Sequence, residues 1–113
     1  MSRLMSVSLT EDAVRERRKT VTRRLGWTFA KPGDRLTLCR KVMGRKADEP
    51  LERIAEVEVV DVRREELDAI SADDVIREGF PDLTAREFVD FFCEHMKVVP
   101  WATVTRIEWR YLT

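Results

Sequence analysis

The chain has 113 residues, of which 43% are hydrophobic and 37% are charged, and its acidic and basic side chains are equal in number. This length and apolar content predict one domain, residues 1–113, which buries a single core without disulfides or metals as staples. No apolar run is long enough to span a membrane and the N-terminus lacks a signal-peptide pattern, so we expect a cytoplasmic protein with no membrane partner.

The N-terminal part of the chain is predicted to form a strand, a short helix and a second strand. Apolar and polar residues alternate over residues 4–9, which is typical of a strand. Thr10, followed by two acids, is a good helix N-cap, and the helix is expected to run to about Glu16. Alternation with β-branched residues then predicts a strand over residues 20–25.

Two further strands are predicted in the middle of the chain. Residues 26–33 form a loop that ends in a Pro-Gly turn signal, and a strand follows over residues 35–40. The mixed charges of residues 43–50 indicate an exposed connection. Residues 51–62 then predict a long strand in which the apolar positions shift by one residue at Val60. A shift of this kind indicates a β-bulge or a sharp bend.

The C-terminal part is predicted to form two helices and a last strand. Ser71 caps a helix that runs to about Glu78 and stops at Gly79. Thr84 begins a capping box at the start of the next helix, and a clean alternation predicts the final strand over residues 103–112. The second helix has an apolar stripe, which we expect to face the core and which consists of Phe88, Phe91, Phe92 and His95.

The predicted order of elements is β-α-β-β-β-α-α-β. Adjacent strands are joined by short loops, and there are too few helices for parallel βαβ units. We therefore expect an α+β fold, a small mixed and mostly antiparallel β-barrel with helices packed on it. Cys39 and Cys93 have neither paired nor metal-ligand spacing, so reduced thiols, no metal site and no cofactor are expected.

The most unusual stretch is residues 17–24, which contains five cations and two hydroxyls without Gly or Pro. It lies in the basic half of the chain. Residues up to Ala47 include 13 Lys/Arg and 4 Asp/Glu, whereas the remaining residues include 8 Lys/Arg and 17 Asp/Glu. Two interpretations stay open at this point. The stretch is either a site for phosphate, carboxylate or a base edge, or an exposed basic edge strand. The basic half is equally either exposed or neutralised by the acidic half.

Strand geometry divides this stretch into two faces. Thr20, Thr22 and Arg24 share one face, because alternate side chains of a strand point the same way. Lys19 is three residues from Thr22 and would point away from it within a regular strand. The two side chains meet only if Lys19 lies in the turn before the strand.

Three motifs carry a family resemblance: Arg18-Lys19-Thr20-Val21-Thr22-Arg23-Arg24, Pro32-Gly33-Asp34 and Glu78-Gly79-Phe80. In this order, over nearly the whole chain, they resemble an ASCH domain of the PUA-like superfamily. The resemblance implies a small β-barrel whose cleft faces nucleic acid or a nucleoside, and ASCH proteins are generally associated with RNA. The family often has glycine where this chain has Arg17.

Some small bacterial ASCH proteins are amidohydrolases that remove the acyl group of N4-acetylcytidine. Their lysine, threonine and glutamate match Lys19, Thr22 and Glu78 of this chain. The resemblance thus implies a threonine nucleophile, a lysine base and a glutamate that transfers a proton. These roles are chemically reasonable. A threonine hydroxyl becomes a nucleophile when a neighbouring base takes its proton, and a lysine can be that base when burial or nearby cations lower its pKa. The alternative for Glu78 is a solvated helix-end residue paired with an arginine.

Four further residues are predicted to bind a ligand: Arg18, Thr20, Arg24 and Trp27. Arg24 would hold a carbonyl, phosphate or base edge, and the alternative for it is a salt bridge. Trp27 would stack on a base, and the alternative for it is packing in a small satellite core. His95 is expected to be a packed helix-end residue. The leading interpretation is a protein that binds RNA or a modified nucleoside. The alternatives are N4-acylcytidine hydrolysis and an interaction domain whose charged halves meet another protein.

Overall fold

Five strands form one mixed sheet that curls into a half-barrel, with three helices beside it, in the computed structural model, which describes residues 2–112. The elements are, in chain order, β1 (Arg3–Ser6), α1 (Glu11–Arg15), β2 (Val21–Arg24), β3 (Arg35–Cys39), β4 (Arg53–Glu66), α2 (Ala72–Arg77), α3 (Ala85–Met96) and β5 (Thr103–Tyr111). The order in the sheet is β1-β3-β4-β5-β2, with only β1 and β3 parallel among these neighbours. The predicted α+β class with a small, mostly antiparallel barrel is confirmed.

Strand β4 is the longest strand and pairs on both sides. Its register to β5 shifts between Val59 and Asp61, so the bulge predicted at Val60 is confirmed. The strand also continues to Glu66, beyond the predicted end at Val62. The extension was missed because its residues are charged and show no apolar alternation. It is paired with β5 up to Thr103.

The first strand is shorter than expected. β1 ends at Ser6, and Ser8–Thr10 form a 3₁₀ turn, so the C-terminal part of the predicted strand is wrong. Val7 is buried in the core, whereas Leu9 is 57% exposed. Thr10 does precede α1, but its side chain makes no capping hydrogen bond.

Helices α2 and α3 begin as the sequence predicts. The Ser71 hydroxyl accepts a hydrogen bond from the Asp74 amide, and Thr84 and Glu87 form both hydrogen bonds of a capping box. The predicted stripe of α3 is only half in the core. Its buried residues include Phe88 and Phe92, whereas Phe91 and His95 are exposed. The core therefore covers only half of the aromatic stripe of α3.

Two apolar clusters form the core. One lies within the curled sheet, around Leu36, Leu38 and Ile107. The other, around Leu67, Val75 and Phe88, lies between the sheet and helices α2 and α3. The described residues contain no helix long and apolar enough to cross a membrane.

Gly79 ends α2 in a conformation that side chains disfavour. Its φ is 107°, and a Cβ there would lie 3.0 Å from the Cβ of Ala13. Both effects are costly, so we expect Gly79→Ala to lower the free energy of unfolding by about 1–3 kcal/mol in urea titrations. Gly26→Ala is the matched control, because a Cβ at Gly26 would meet no atom within 4 Å. Equal stability of the two variants would contradict this account of the Glu-Gly-Phe motif.

Candidate functional site

A buried ion pair joins the turn before β2 to the end of α2. The Lys19 Nζ atom donates a hydrogen bond to Glu78 Oε1 at 2.9 Å and another to the Glu78 backbone oxygen at 2.7 Å. Lys19 lies in the turn before β2, which is the position from which its side chain could reach Thr22. Glu78 is only 3% exposed, so it is not a solvated helix-end residue, although it does pair with an arginine, Arg23, at 3.2 Å.

Burial changes the proton affinity of Lys19. Removal from water lowers the pKa of Lys19 below its usual value, although Glu78 acts in the opposite direction. The Arg24 and Arg23 cations lower this pKa further. Proton loss from Lys19 therefore costs less than it would for an exposed lysine.

Arg24 bridges the two edges of the half-barrel. Its Nη2 atom donates to the Ser6 oxygen of β1 at 2.8 Å, and its Nε atom donates to Thr22 Oγ1 on β2 at 3.2 Å. Within residues 2–112, Arg24 makes no salt bridge, whereas Lys19 and Arg23 both do. Burial lowers the pKa of Arg24, with Glu78 opposing it. A partly buried cation without a carboxylate partner suits an oxygen-bearing ligand.

These residues line a cleft with a cavity volume of about 450 Å³. Its polar wall contains Lys19, Thr22, Arg24 and Glu78. The rest of the lining includes an apolar and aromatic wall, formed by Leu9, Phe80, Phe88, Phe91, Phe92, His95 and Met96. A concave site with an apolar wall and a few converging polar groups is typical of small-molecule sites.

Arg23 also lines the cleft and belongs to a buried ionic cluster. Its Nη2 atom contacts Asp74 at 2.7 Å and Glu65 at 2.8 Å, and its Nη1 atom contacts Glu78 at 3.2 Å. Arg106 of β5 binds both oxygens of Asp74, at 2.7 and 3.1 Å. The hydrogen bonds from Arg106 and Arg23 hold the pKa of Asp74 well below its usual range despite burial.

This cluster corrects the interpretation of the basic stretch as an exposed edge. Arg23 has only 1% of its side chain exposed and is neutralised by acids from the C-terminal half. The roles of Asp74 and Arg106 were not predicted. Charged residues far apart in sequence give no sign that the fold will bring them together.

The other three predicted ligand-binding residues do not line this cleft. Arg18 pairs with Glu16 at the surface, and Thr20 Oγ1 accepts a hydrogen bond from Arg77 at 3.1 Å. Trp27 packs against the sheet cluster and against Phe29, with ring centroids 5.1 Å apart. Ligand binding by Arg18, Thr20 and Trp27 therefore stays a prediction that the cleft does not support.

The turn that places Lys19 contains a residue in a glycine-like conformation. Arg17 has φ of 63°, in the left-handed region, at the position where ASCH domains often have glycine. Its Nη1 atom donates to the Val14 oxygen at 3.0 Å, and its guanidinium lies 5.2 Å from the Tyr111 ring centroid. Side-chain contacts thus accompany the turn conformation that Arg17 adopts.

The backbone of this turn is also held from β5. The Lys19 oxygen accepts hydrogen bonds from Trp109 Nε1, at 3.0 Å, and from the Tyr111 hydroxyl. Lys19 therefore has a fixed backbone as well as a paired ammonium. In the part of the chain that the structure describes, no group of His, Cys, Asp or Glu could hold a metal ion.

The fold is similar to that of several solved structures. A protein from Enterococcus faecalis V583, of the DUF984 family model, superposes with a TM-score of 0.70 at 14% identity over 99% of this chain and 80% of that one. The ASCH domain from Lactobacillus crispatus superposes with a TM-score of 0.63 at 13% identity. The match covers 97% of this chain and 79% of that one. ASCH from Zymomonas mobilis superposes with a TM-score of 0.62 at 15% identity, over 95% of this chain and 65% of that one.

These similarities define the class first by its fold, a small α+β half-barrel. More narrowly, the chain has the ASCH domain fold, as the sequence motifs predict. No family model matches the sequence, and a search of curated proteins finds no match. At these identities the similarity concerns the fold, and the function has to be argued from the cleft.

Proposed function

We propose that this protein binds a nucleotide of RNA or a modified nucleoside in the cleft. The observation that carries the proposal is that Lys19, Thr22, Arg24 and Glu78 line the same cleft as a group of aromatic side chains. Hydrogen-bonding groups read the polar edge of a base, and aromatic side chains accept its face. The ASCH fold supports the same class of ligand through the resemblance in sequence motifs.

The charges of the cleft favour a single nucleotide over a long polyanion. Lys19 and Arg23 are already paired with acids, which leaves Arg24 as the cleft cation without a salt bridge in the described chain. Few counterions would therefore be released on binding. For a nucleotide with one phosphate we expect affinity to depend only weakly on salt, with a slope on the order of one phosphate contact, and for a nucleoside hardly at all.

Calorimetric titration with cytidine, uridine, adenosine and N4-acetylcytidine tests this proposal. We expect binding of at least one of them, and Arg24→Ala to weaken it about 10- to 100-fold, because a hydrogen bond to a charged group contributes about 1.5–3 kcal/mol. Arg24→Lys keeps the charge and should recover part of the affinity.

Arg110→Ala is the matched control for Arg24→Ala. The Arg110 side chain is 60% exposed and pairs with Glu58 outside the cleft. It should bind the nucleosides as the wild type does. Failure of all four nucleosides to bind, or full affinity in a folded Arg24→Ala variant, would overturn the proposal.

The second candidate is an amidohydrolase that deacylates N4-acetylcytidine-type nucleosides. The observation favouring it is that Lys19, Thr22 and Glu78 line one cleft and that burial lowers the pKa of Lys19. Neutral Lys19 would take the proton of the Thr22 hydroxyl as Oγ1 adds to the acyl carbon. The C–N bond would then break, with Glu78 relaying a proton to the departing N4 amine.

Water completes this reaction. It would hydrolyse the acyl ester of Thr22, which restores the hydroxyl and releases a carboxylic acid, so that N4-acetylcytidine and water become cytidine and acetate. In the structure Lys19 Nζ donates a hydrogen bond to Glu78, and Thr22 Oγ1 accepts one from Arg24. Base and nucleophile would have to approach each other when substrate binds. Chromatography of cytidine after incubation with N4-acetylcytidine measures turnover, and its absence would reject this candidate.

A further inference from the structure

Two aromatic side chains of helix α3, Phe91 and His95, line the cleft, and the proposed contacts of the polar residues give them no role. We propose that Phe91 and His95 form the surface on which the ring of the bound base lies. This inference rests on the proposed function and assigns the base-stacking role to α3. It replaces Trp27, which lies outside the cleft lining, as the stacking residue.

The two rings are arranged as a stacked pair. Their centroids are 5.8 Å apart and their planes differ by 21°. Phe91 also packs against Phe80, with ring centroids 5.5 Å apart and ring planes that differ by 55°. The supporting ring limits the motion of Phe91, so a ligand would meet a partly preformed surface.

Both rings are accessible in spite of their positions in the predicted core stripe. Phe91 is 36% exposed, and two other exposed apolar residues, Leu9 and Met96, line the same cleft. Exposed apolar residues grouped around one cleft are typical of a binding site. His95 also lines the cleft, so the group extends along one side of α3.

The two walls of the cleft complement the two chemical aspects of a nucleobase. The edge of a base carries carbonyl and amino groups, which match Arg24, Thr22 and the Lys19–Glu78 pair. Its faces are apolar and π-rich, and they stack on aromatic side chains irrespective of base identity. With the edge directed to the polar wall, the α3 wall is left for the face of the ring.

The test compares Phe91→Leu with the matched variant Phe29→Leu. Phe29 is also an exposed aromatic residue, 52% exposed, but contacts Arg3 and Trp27 away from the cleft. Calorimetry with whichever of cytidine, uridine, adenosine and N4-acetylcytidine binds should show about tenfold weaker affinity for Phe91→Leu and no change for Phe29→Leu. His95→Leu should also weaken binding, and His95→Phe should restore it.

Nuclear magnetic resonance of the wild-type complex separates stacking from an indirect effect on the fold. We expect intermolecular Overhauser effects from the base protons to the rings of Phe91 and His95. Binding that needs Arg24 but shows neither these effects nor a loss in Phe91→Leu would overturn the stacking role and leave the proposed function intact. Absence of binding by all four nucleosides would overturn both.

Discussion

Replacing Asp74 by asparagine is expected to lower the free energy of unfolding by about 3–5 kcal/mol, because it leaves two buried arginines without their shared carboxylate. Arg23 and Arg106 both bind Asp74, and all three side chains are less than 10% exposed. Asparagine keeps the size of the side chain but removes its charge. Urea unfolding of the wild type and the variant measures the difference.

Asp73→Asn is the control for the Asp74 variant. Asp73 lies on the exposed side of the same helix, next to Asp74 in sequence. The change should alter stability by less than about 0.5 kcal/mol, as for other surface substitutions. If the two variants were equally stable, the ionic cluster would contribute nothing that a neutral amide cannot replace.

The same pair of proteins tests the effect of pH. The arginines hold the folded-state pKa of Asp74 well below the unfolded value of about 3.9, so its charge contributes stability fully above that value. The contribution is lost as the pH falls below about 4 towards the folded pKa. The gap in unfolding free energy between wild type and Asp74→Asn should therefore be widest at neutral pH and narrow in acid. A gap independent of pH would contradict the assignment.

Features of the fold that depend on local chemistry were predictable from the sequence. The capping box at Thr84, the stop at Gly79 and the bulge at Val60 each depend on a few neighbouring residues, and each is present in the structure. The end of β4 was not predictable in this way. Its last residues are charged and are held by pairing with β5, which local alternation does not reveal.

The site was partly predictable for the same reason. The period of the strand showed that Lys19 could reach Thr22 only from the turn before the strand, and the structure places Lys19 there. The presence of Glu78 in the same site was expected from the motif resemblance. By contrast, helical periodicity placed Phe91 and His95 in the core with Phe88. Periodicity defines one side of a helix, but the neighbouring elements decide how much of that side is covered, and here α3 borders an open cleft.

If the protein deacylates N4-acetylcytidine, Thr22→Val is expected to reduce the turnover number at least about 1000-fold, because it removes the attacking oxygen while keeping the shape of the side chain. Thr37→Val is the matched control, since Thr37 is also a buried strand threonine but bonds to Glu56 outside the cleft. Chromatography of released cytidine measures both variants. Turnover that survives Thr22→Val would count decisively against the threonine as nucleophile.

The pH dependence of this turnover would identify the base. Protonated Lys19 cannot accept the proton of Thr22, so the rate should rise with pH as Lys19 is deprotonated, with a midpoint below the ordinary lysine value because burial lowers the pKa of Lys19. Lys19→Met removes the base but leaves Glu78 its contact with Arg23 at 3.2 Å. A folded Lys19→Met variant should therefore bind the nucleoside more weakly and lose both turnover and this rise. If the rise persisted in Lys19→Met, the base would have to be another group.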